Sequence, residues 1–181
     1  IFLLEREEKL GLGTAYIAGF KWAFEREYDF IFEMDADFSH NPNDLIRLLN
    51  ACSKGGYDMA IGSRYVKGVN VVNCPMSRVL LSWLASKYVR LIKGMNIHDT
   101  TAGLICYRRA VLEKINLDKI HFVGYAFQIE MKFKAYLSKF KIIEVPVVFT
   151  DRTSGESKMN TGIISEAIFG VITMKFKSLF K

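Results

Sequence analysis

The sequence predicts an α/β layer fold with a mostly parallel sheet, because strand-type and helix-type segments alternate along the chain. Hydrophobic residues make up 50% of the chain and charged residues 24%. That composition supports a packed core and excludes a wholly disordered chain. The length of 181 residues suits one domain, so residues 1–181 are expected to form one unit without an interdomain linker.

Strands are expected where short apolar or β-branched runs lie between turn-forming residues. The predicted strands are residues 1–4, 28–34, 57–62, 103–107 and 141–149. Pro146 favours an edge or irregular position for the last of them, because proline cannot donate a ladder hydrogen bond. The chain opens with IFLLERE, which has the pattern of the middle of a strand. Further residues are therefore expected in front of Ile1.

Helices are expected where apolar residues recur at spacings of three and four. The predicted helices are residues 11–27, 42–52, 76–93, 108–115, 125–139 and 163–179. Asn41 is the predicted N-cap of the second helix, with Pro42 in its first turn. The segments between these elements, including the polar stretches 64–75 and 151–162, are predicted to be loops.

The charge balance and the cysteines limit the function classes. A net charge of +6 and a pI near 9.2 favour an anionic partner: nucleic acid, a phosphorylated molecule or an acidic membrane face. Cys52, Cys74 and Cys106 lie far apart without a CxxC pair, which argues against structural zinc and a disulfide framework and fits a reducing compartment. No apolar run approaches the roughly 20 residues of a spanning helix.

The stretch FEMDADFSHNP places Asp35 and Asp37 directly after a predicted strand. In open α/β sheets, ligands bind beyond the carboxyl ends of the strands. Residues i and i+2 of an extended segment project to the same side, so both carboxylates can face one Mg²⁺ or Mn²⁺ ion. A solvated turn whose acids cap the next helix is the alternative interpretation, because the DxD pattern is short and common.

Glycines and cations elsewhere in the chain suggest phosphate binding. Gly11 and Gly13 open a helix, as phosphate-binding loops do, although GxG without a third glycine is not a dinucleotide motif. Arginines suit bidentate phosphate contacts. The cations in loops or at helix starts are Arg64, Arg78, Arg152 and Lys158. Each taken singly is also compatible with an ordinary surface charge.

These motifs, in this order, resemble the polyprenol-phosphate mannosyltransferases, which include the dolichol-phosphate enzymes and belong to glycosyltransferase family 2. The resemblance covers nearly the whole chain. The motifs that carry it are LGLGTAYIAGFKWA, MDADFSHNPNDL, AIGSRYVKG, SRVLLS, DTTAGL, FQIEM and DRTSGESK. The resemblance implies a GT-A fold, which is a Rossmann-like mixed sheet flanked by helices. It also implies inverting, metal-dependent transfer of mannose from GDP-mannose to a polyprenyl or dolichyl monophosphate.

The resemblance also implies roles for individual residues. Asp35 and Asp37 become ligands of Mg²⁺ or Mn²⁺, and Ser39 takes the third ligand position, where water or phosphate can replace it. Gly11 and Gly13 support substrate phosphates. The catalytic set is Asp37, Arg64, Arg78 and Arg152, with Lys158, Gln128 and Glu130 added for substrate binding. Asp99 and Thr100 fall in the DTT turn of the family without an assigned role.

One departure from the family concerns the donor pocket. The P-x-Y-N-E strand segment and the later acid pair that hold the base and ribose in this family are absent from the sequence. The chain therefore resembles an N-terminally truncated catalytic domain. A truncated, inactive relative is accordingly one alternative function.

Two other functions are compatible with the sequence. One differs from the mannosyltransferase in its substrates, and the other differs in its partner. A polyprenol-phosphate glucosyltransferase, or a family 2 enzyme with another sugar or acceptor, keeps the fold. A nucleic-acid-binding module would use the positive charge, but the aromatic residues follow core patterns instead of a basic stripe, so nucleic acid is not the expected partner.

A membrane surface is the further expected partner. The predicted C-terminal helix within residues 159–181 is amphipathic, with Ile163, Ile168 and Val171 on one face and lysines at its end. A core-packing helix explains the same pattern. The lipid acceptor favours a peripheral location on the cytoplasmic face of a membrane. Some relatives add transmembrane helices or recruit a membrane partner subunit.

Overall fold

The central sheet is mixed, as shown by the computed structural model, which describes residues 2–8, 10–124, 126–151 and 170–176. Its strands are β1 (Phe30–Glu33), β2 (Met59–Ser63), β4 (Ile105–Arg108) and β5 (Ile142–Pro146), in the order β1-β4-β2-β5. β4 is antiparallel to both of its neighbours, and β2 is parallel to β5. The α/β fold is confirmed, whereas the prediction of a mostly parallel sheet is wrong.

The direction of the strands determines where a site can form. Because β1 and β2 both pair antiparallel with β4, they run in the same direction, which β5 shares. The carboxyl ends of β1, β2 and β5 therefore meet at one edge of the sheet, together with the amino end of β4. Asp35, Arg64 and Gly103 lie just beyond these strand ends. Ligands of open α/β sheets bind at such an edge.

Helices cover the sheet. They are α1 (Leu12–Phe24), α2 (Asp44–Ser53), α3 (Met76–Lys93), α4 (Arg109–Ile115), α5 (Ala126–Leu137) and α6 (residues 170–176), with a 3₁₀ turn at Leu117–Lys119. α3 ends where Gly94 adopts a left-handed conformation (φ 69°), the backbone state that glycine tolerates best. Within the described residues, no helix is both long and apolar enough to cross a bilayer.

Most predicted boundaries shift by one to three residues, and three differences are larger or change an element. Residues 2–4 form no strand and are exposed, because no described strand lies beside them to satisfy their backbone groups. α2 begins at Asp44, with Asn43 as its N-cap, because the Asn41 side chain accepts a hydrogen bond from Asn43 N (3.0 Å) in a turn of its own. The predicted strand 141–149 is interrupted after Pro146.

A second, two-stranded sheet was not predicted. Its strands are β3 (Val71–Val72), which lies in the predicted loop 64–75, and β6 (Phe149–Thr150). Such short strands carry too little periodicity to be detected from sequence. Their pairing fixes the loop after β2 against the segment after β5, and both border the strand ends described above.

The core consists of two clusters on opposite sides of the sheet. Alternate β1 residues separate them, since Ile31 belongs to the larger cluster and Phe32 packs against the smaller. The larger cluster joins the sheet to α1, α4 and α5 through residues such as Phe20, Leu112 and Phe127. Lys93 and Lys132 are also buried, with 3% and 0% exposure.

Lys93→Met is expected to stabilise the protein at neutral pH by roughly 1–2 kcal/mol. The Lys93 Nζ has no hydrogen-bond partner among the described residues and lies 3.9 Å from the Phe133 ring centroid. Burial, aided by repulsion from Lys175, lowers the pKa of Lys93 to about 8 from its ordinary 10.5. Between these two values only the unfolded state holds the proton, so this contribution makes stability rise with pH across that window.

Urea unfolding at pH 7 and pH 9.5 measures both effects. The advantage of Lys93→Met over the wild type should shrink at the higher pH, whereas Lys114→Met, at an exposed position, should show no pH-dependent difference. A lower unfolding free energy for Lys93→Met at pH 7 would contradict this prediction.

Candidate active site

A cavity of about 420 Å³ opens at the strand ends and extends along α3. Its α3 lining runs from Arg78 to Val89, about three helical turns or ~16 Å. Asp35 and Asp37, which follow β1, border the same cavity. The structure therefore brings the predicted acid pair and two predicted arginines, Arg64 and Arg78, to one cavity.

The acid pair is oriented by neighbouring donors. The Tyr16 hydroxyl on α1 donates to Asp35 Oδ1 (3.1 Å), and the Ser39 backbone N–H donates to Asp37 Oδ1 (3.1 Å). Burial and the nearby Asp35 charge raise the pKa of Tyr16, so its hydroxyl remains protonated and able to donate. Gly103 lies beside Asp35, since a Cβ there would be in ordinary van der Waals contact with Asp35 Oδ2 at 3.5 Å.

The turn after Asp37 is sharply bent. Phe38 adopts a positive φ of 62°, which is uncommon for a bulky residue, and its side chain is 92% exposed. Ser39 comes next and is buried at 2% exposure. Its hydroxyl has no hydrogen-bond partner among the described residues, and Ser39 is not among the residues that line the cavity. The described contact of Ser39 with the acid pair is thus through its backbone, which orients Asp37.

The residues present fit a divalent cation that keeps part of its water or phosphate shell. Mg²⁺ is typically held by one or two carboxylates together with substrate phosphates. Asp35 and Asp37 supply two carboxylates, and no group of three or more His, Cys, Asp or Glu side chains converges on a metal position in the described residues. A metal here would need ligand oxygens from a bound phosphate or from water.

Arg64 is held rigidly by Asp99. Arg64 Nε and Nη2 donate to Asp99 Oδ2 and Oδ1 at 2.7 Å each, and the Arg64 backbone N–H also donates to Oδ2 (3.0 Å). The Asp99 side chain is completely buried and that of Arg64 is 16% exposed. Although burial opposes ionisation, the Arg64 charge holds the pKa of Asp99 below its ordinary value. Asp99, left without a role from sequence, is the partner of a cavity arginine.

Arg78, at the start of α3, has a different arrangement. Its Nη1 donates to both oxygens of Asp151 at 2.8 Å each. In the described part of the chain its Nε and Nη2 make no hydrogen bond, and the side chain is 30% exposed. One edge of the Arg78 guanidinium is therefore available for a bidentate contact in the cavity.

The two predicted phosphate-binding glycines pack against protein instead. Gly13 N donates to Val123 O (2.8 Å), so this N–H is already occupied. A Cβ on Gly13 would lie 2.7 Å from the Phe127 ring, and one on Gly11, whose φ is 97°, would lie 3.0 Å from Val123 O. The glycines allow α1 to approach the 122–127 segment closely. Sequence alone does not reveal this long-range contact, and phosphate binding by Gly11 and Gly13 stays a prediction.

The two α5 residues of the predicted acceptor motif differ in position. Gln128 is buried and lines the cavity. Glu130 does not line the cavity. Its Oε2 accepts the backbone N–H groups of His121 (2.9 Å) and Phe122 (3.1 Å). Lys134 pairs with the other oxygen at 3.0 Å. Glu130 therefore fixes the loop before α5 and is not among the residues that line the cavity, while its role in substrate binding stays a prediction.

Sequence reasoning missed the polar residues beneath the acid pair. Glu33 and Lys132 are buried, Tyr107 donates to Glu33 Oε1 (3.1 Å), and Lys132 Nζ donates to Ala102 O (2.7 Å). Burial raises the pKa of Glu33 to about 8 and lowers that of Lys132 to about 8, while their mutual attraction opposes both shifts. The only sequence signal was a charged residue inside each of two apolar segments.

His40 is a further cavity residue that the sequence did not indicate. It is 8% exposed, its Nδ1 has no hydrogen-bond partner among the described residues, and its ring packs edge-on against Phe149. Burial lowers the pKa of His40 below its ordinary value, so the ring is neutral near pH 7. The remaining predicted cations, Arg152 and Lys158, lie outside the described residues.

The cavity also has a large apolar part. Its lining on α3 includes Leu81, Leu84 and Val89, and Val171 of α6 and Ile129 of α5 contribute from other elements. The charged residues lie beside the strand ends and the first turn of α3. The cavity therefore pairs a charged region with an apolar one, as a ligand with an anionic group on a hydrocarbon chain requires.

Comparison with known proteins gives both a family and close relatives. Residues 1–116 match the family described as Glycosyl transferase family 2. The chain is 48% identical over 171 residues to polyprenol monophosphomannose synthase of Mycolicibacterium smegmatis, covering 94% of this chain and 64% of the relative. It is likewise 48% identical to undecaprenyl-phosphate mannosyltransferase of Micrococcus luteus, covering 94% of this chain and 70% of the relative. The chain thus spans about two thirds of these relatives.

Solved structures of low sequence identity share the fold. Glucosyl-3-phosphoglycerate synthase from Mycobacterium tuberculosis in complex with phosphoglyceric acid superposes with a TM-score of 0.66 at 13% identity, covering 94% of this chain and 56% of that chain. The same enzyme in complex with Mn²⁺, uridine diphosphate and phosphoglyceric acid gives 0.62 at 12% identity, covering 92% and 54%. The predicted GT-A fold is confirmed.

Proposed function

Because the chain belongs to glycosyl transferase family 2, we propose that it is the catalytic part of an enzyme that transfers mannose from GDP-mannose to a polyprenyl or dolichyl monophosphate. The observation that carries this proposal is the composition of the cavity. Two carboxylates and two arginines border it beside the strand ends, and an apolar wall continues along α3. The names of the two mannosyltransferase relatives support the sugar and the lipid acceptor.

The proposed reaction is a single displacement at the anomeric carbon. An oxygen of the acceptor phosphate forms the new bond to that carbon, the bond to the β-phosphate oxygen breaks, and GDP leaves with inversion of configuration. The acceptor phosphate is already an anion, so no protein base has to remove a proton. Asp35 and Asp37 would hold Mg²⁺ or Mn²⁺, which neutralises charge on the leaving diphosphate.

The cations serve positioning and charge neutralisation. Among the described residues the Nε/Nη2 edge of Arg78 makes no hydrogen bond, so it suits a bidentate contact with the acceptor phosphate. Arg64, fixed by Asp99, supplies a preorganised charge near the acid pair. We assign Arg152 and Lys158 to the same phosphate-binding set on the resemblance alone. The apolar wall formed by Leu81, Leu84 and neighbouring residues would contact the first isoprene units.

The proposal is tested by incubating the purified protein with Mn²⁺, a polyprenyl monophosphate and either GDP-mannose or UDP-glucose. Mannosyl transfer that EDTA abolishes is the expected result. Transfer from UDP-glucose instead would favour the glucosyltransferase alternative. Absence of transfer from both, combined with salt-dependent oligonucleotide binding, would overturn the proposal in favour of a nucleic-acid-binding module.

Arg78→Ala is expected to raise KM for the lipid phosphate roughly tenfold or more, with a smaller change in KM for GDP-mannose. The substitution removes the cavity-lining guanidinium together with its ion pair to Asp151. Initial rates with each substrate varied in turn measure the two constants. An unchanged KM for the acceptor would mean that Arg78 does not bind the acceptor phosphate and is an ordinary surface charge.

The outer face of α3 supports a peripheral membrane location. Leu80 and Leu91 are exposed at 51% and 84%, do not line the cavity, and lie about three helical turns apart on one face. Lys87 lies on the same face, and the helix has basic but no acidic residues. An amphipathic basic helix binds the interface of an anionic bilayer. We therefore propose that α3 lies on the cytoplasmic membrane surface, together with the helix predicted within 159–181. A membrane partner subunit would be an additional anchor.

Leu80→Ser combined with Leu91→Ser is expected to weaken binding to anionic liposomes by about tenfold, because two exposed apolar contacts are lost. Neither residue lines the cavity, so transfer to a short, detergent-soluble acceptor should be unaffected. Co-sedimentation with phosphatidylserine vesicles measures the binding. As a matched control, Leu49→Ser changes an exposed leucine on α2 and should bind like the wild type.

A further inference from the structure

Glu144 of β5 holds the loop in front of β4 with both of its oxygens. Its Oε2 accepts the His98 backbone N–H (2.7 Å) and lies 2.8 Å from His98 Nδ1, and its Oε1 accepts the Asp99 backbone N–H (2.8 Å). The Glu144 side chain is only 7% exposed and does not line the cavity. A buried carboxylate thus fixes two successive backbone groups of the loop that carries Asp99.

Asp99 transmits this constraint to Arg64. Both Asp99 oxygens bind the Nε/Nη2 edge of the guanidinium, and Nη2 also donates to Thr101 Oγ1 (2.9 Å). No hydrogen bond of Arg64 Nη1 occurs among the described residues. Since Arg64 lines the cavity, Nη1 is the part of this guanidinium that remains available to a ligand.

The chain of hydrogen bonds from Glu144 through Asp99 to Arg64, here called the relay, is anchored on two strands of the sheet. Glu144 lies in register with Ile61 on the adjacent parallel strand, three residues before Arg64. The chain of contacts therefore runs from β5 through the 98–99 loop and returns to the end of β2. A long arginine side chain in water samples many rotamers, whereas this one is held at its backbone N–H and at two side-chain nitrogens. Small displacements of a charge-stabilising group cost large factors in rate.

We propose that Glu144 is a positioning residue that acts through Asp99 to present the Nη1 edge of Arg64 to a phosphate oxygen in the cavity. The proposal deepens the proposed function and rests on it for the identity of the reaction. The phosphate can belong to the lipid acceptor or to the donor diphosphate. These share the same chemistry, so the experiment separates them.

Glu144→Gln keeps the size of the side chain but replaces one acceptor oxygen by an NH₂ group, which cannot accept the N–H group of residue 98 or 99. It is expected to lower kcat/KM for transfer roughly tenfold, as a displaced charge-stabilising donor should. The decisive readout is a double-mutant cycle with Arg64→Lys. If Glu144 acts through Arg64, Glu144→Gln should add less than twofold in the Arg64→Lys background.

Binding measurements make the test independent of turnover. Calorimetry with farnesyl phosphate alone and with GDP plus Mn²⁺ gives one cycle for each phosphate source. If the effects of the two substitutions on the binding free energy of one probe are non-additive, the phosphate of that probe is the one that Arg64 contacts. Non-additive binding in a protein that transfers no mannose would leave the relay standing and overturn the proposed reaction only.

Glu113→Gln is the matched control, because Glu113 is an exposed carboxylate paired with Arg109 on α4. It should match the wild type in every assay. Glu144→Asp keeps the charge but is too short to reach both N–H groups, and it replaces Glu144→Gln in the cycles if that variant does not fold. If the effects of the Glu144 and Arg64 substitutions multiply independently in the kinetic cycle and in both binding cycles, the relay is wrong. Glu144 then contributes to fold stability alone.

Discussion

Asp37→Asn is expected to lower the proposed mannosyl transfer by at least about a hundredfold, because it removes a charged ligand from the proposed metal site, which would neutralise the leaving diphosphate. The substitution preserves side-chain volume, and the Asn carbonyl can still accept the Ser39 N–H that Asp37 Oδ1 accepts at 3.1 Å. The local turn should therefore remain intact. The loss should appear in Mn²⁺ affinity as well as in turnover.

Titration with Mn²⁺, followed by its electron paramagnetic resonance signal, measures binding without any reaction. Asp37→Asn should bind Mn²⁺ at least roughly tenfold more weakly in the presence of GDP. Asp29→Asn changes an exposed carboxylate just before β1 and should match the wild type. Near-normal Mn²⁺ affinity and turnover in Asp37→Asn would show that the acid pair is a solvated turn, the alternative that the sequence left open.

Local patterns made the acid pair predictable, because both residues follow a short strand and project from one extended segment. The placement of Asp35 and Asp37 at a strand-end cavity could be anticipated from an alternating α/β sequence. Helix positions could also be predicted, because apolar periodicity is likewise a local pattern. The predicted 76–93 helix coincides with α3.

Long-range pairings could not be predicted from local patterns. The reversed direction of β4 depends on which strands it joins, and its own sequence does not record this. The contact of Gly13 with Val123 and Phe127 joins segments more than a hundred residues apart, so the glycines resembled a phosphate loop. The partnership of Arg64 with Asp99 likewise depends on the sheet order that brings the ends of β2 and β4 together.

That partnership leads to the largest expected effect on stability. Asp99→Asn should lower the free energy of unfolding by about 3–5 kcal/mol at pH 7, because it leaves the Arg64 guanidinium desolvated without a compensating charge. The Asp99 side chain is fully buried, and Arg64 Nε and Nη2 both bind it at 2.7 Å. Breaking an exposed ion pair should change the free energy of unfolding much less. Asp118→Asn, which breaks the contact of Asp118 with Lys21, should cost less than about 1 kcal/mol.

The pH dependence distinguishes a charge effect from a packing defect. The folded-state pKa of Asp99 lies below its ordinary value of 3.8, because the Arg64 charge outweighs the opposing effect of burial. Its contribution to stability is therefore fully present above that value and is lost as the pH falls through the folded-state pKa. Urea unfolding from pH 7 down to pH 3 should show a difference in stability between wild type and Asp99→Asn that is constant down to about pH 4 and narrows below it. A difference that stays constant with pH would mean that Asp99 stabilises the 98–103 segment by shape and hydrogen bonding alone, and that the charge of Arg64 has no part in it.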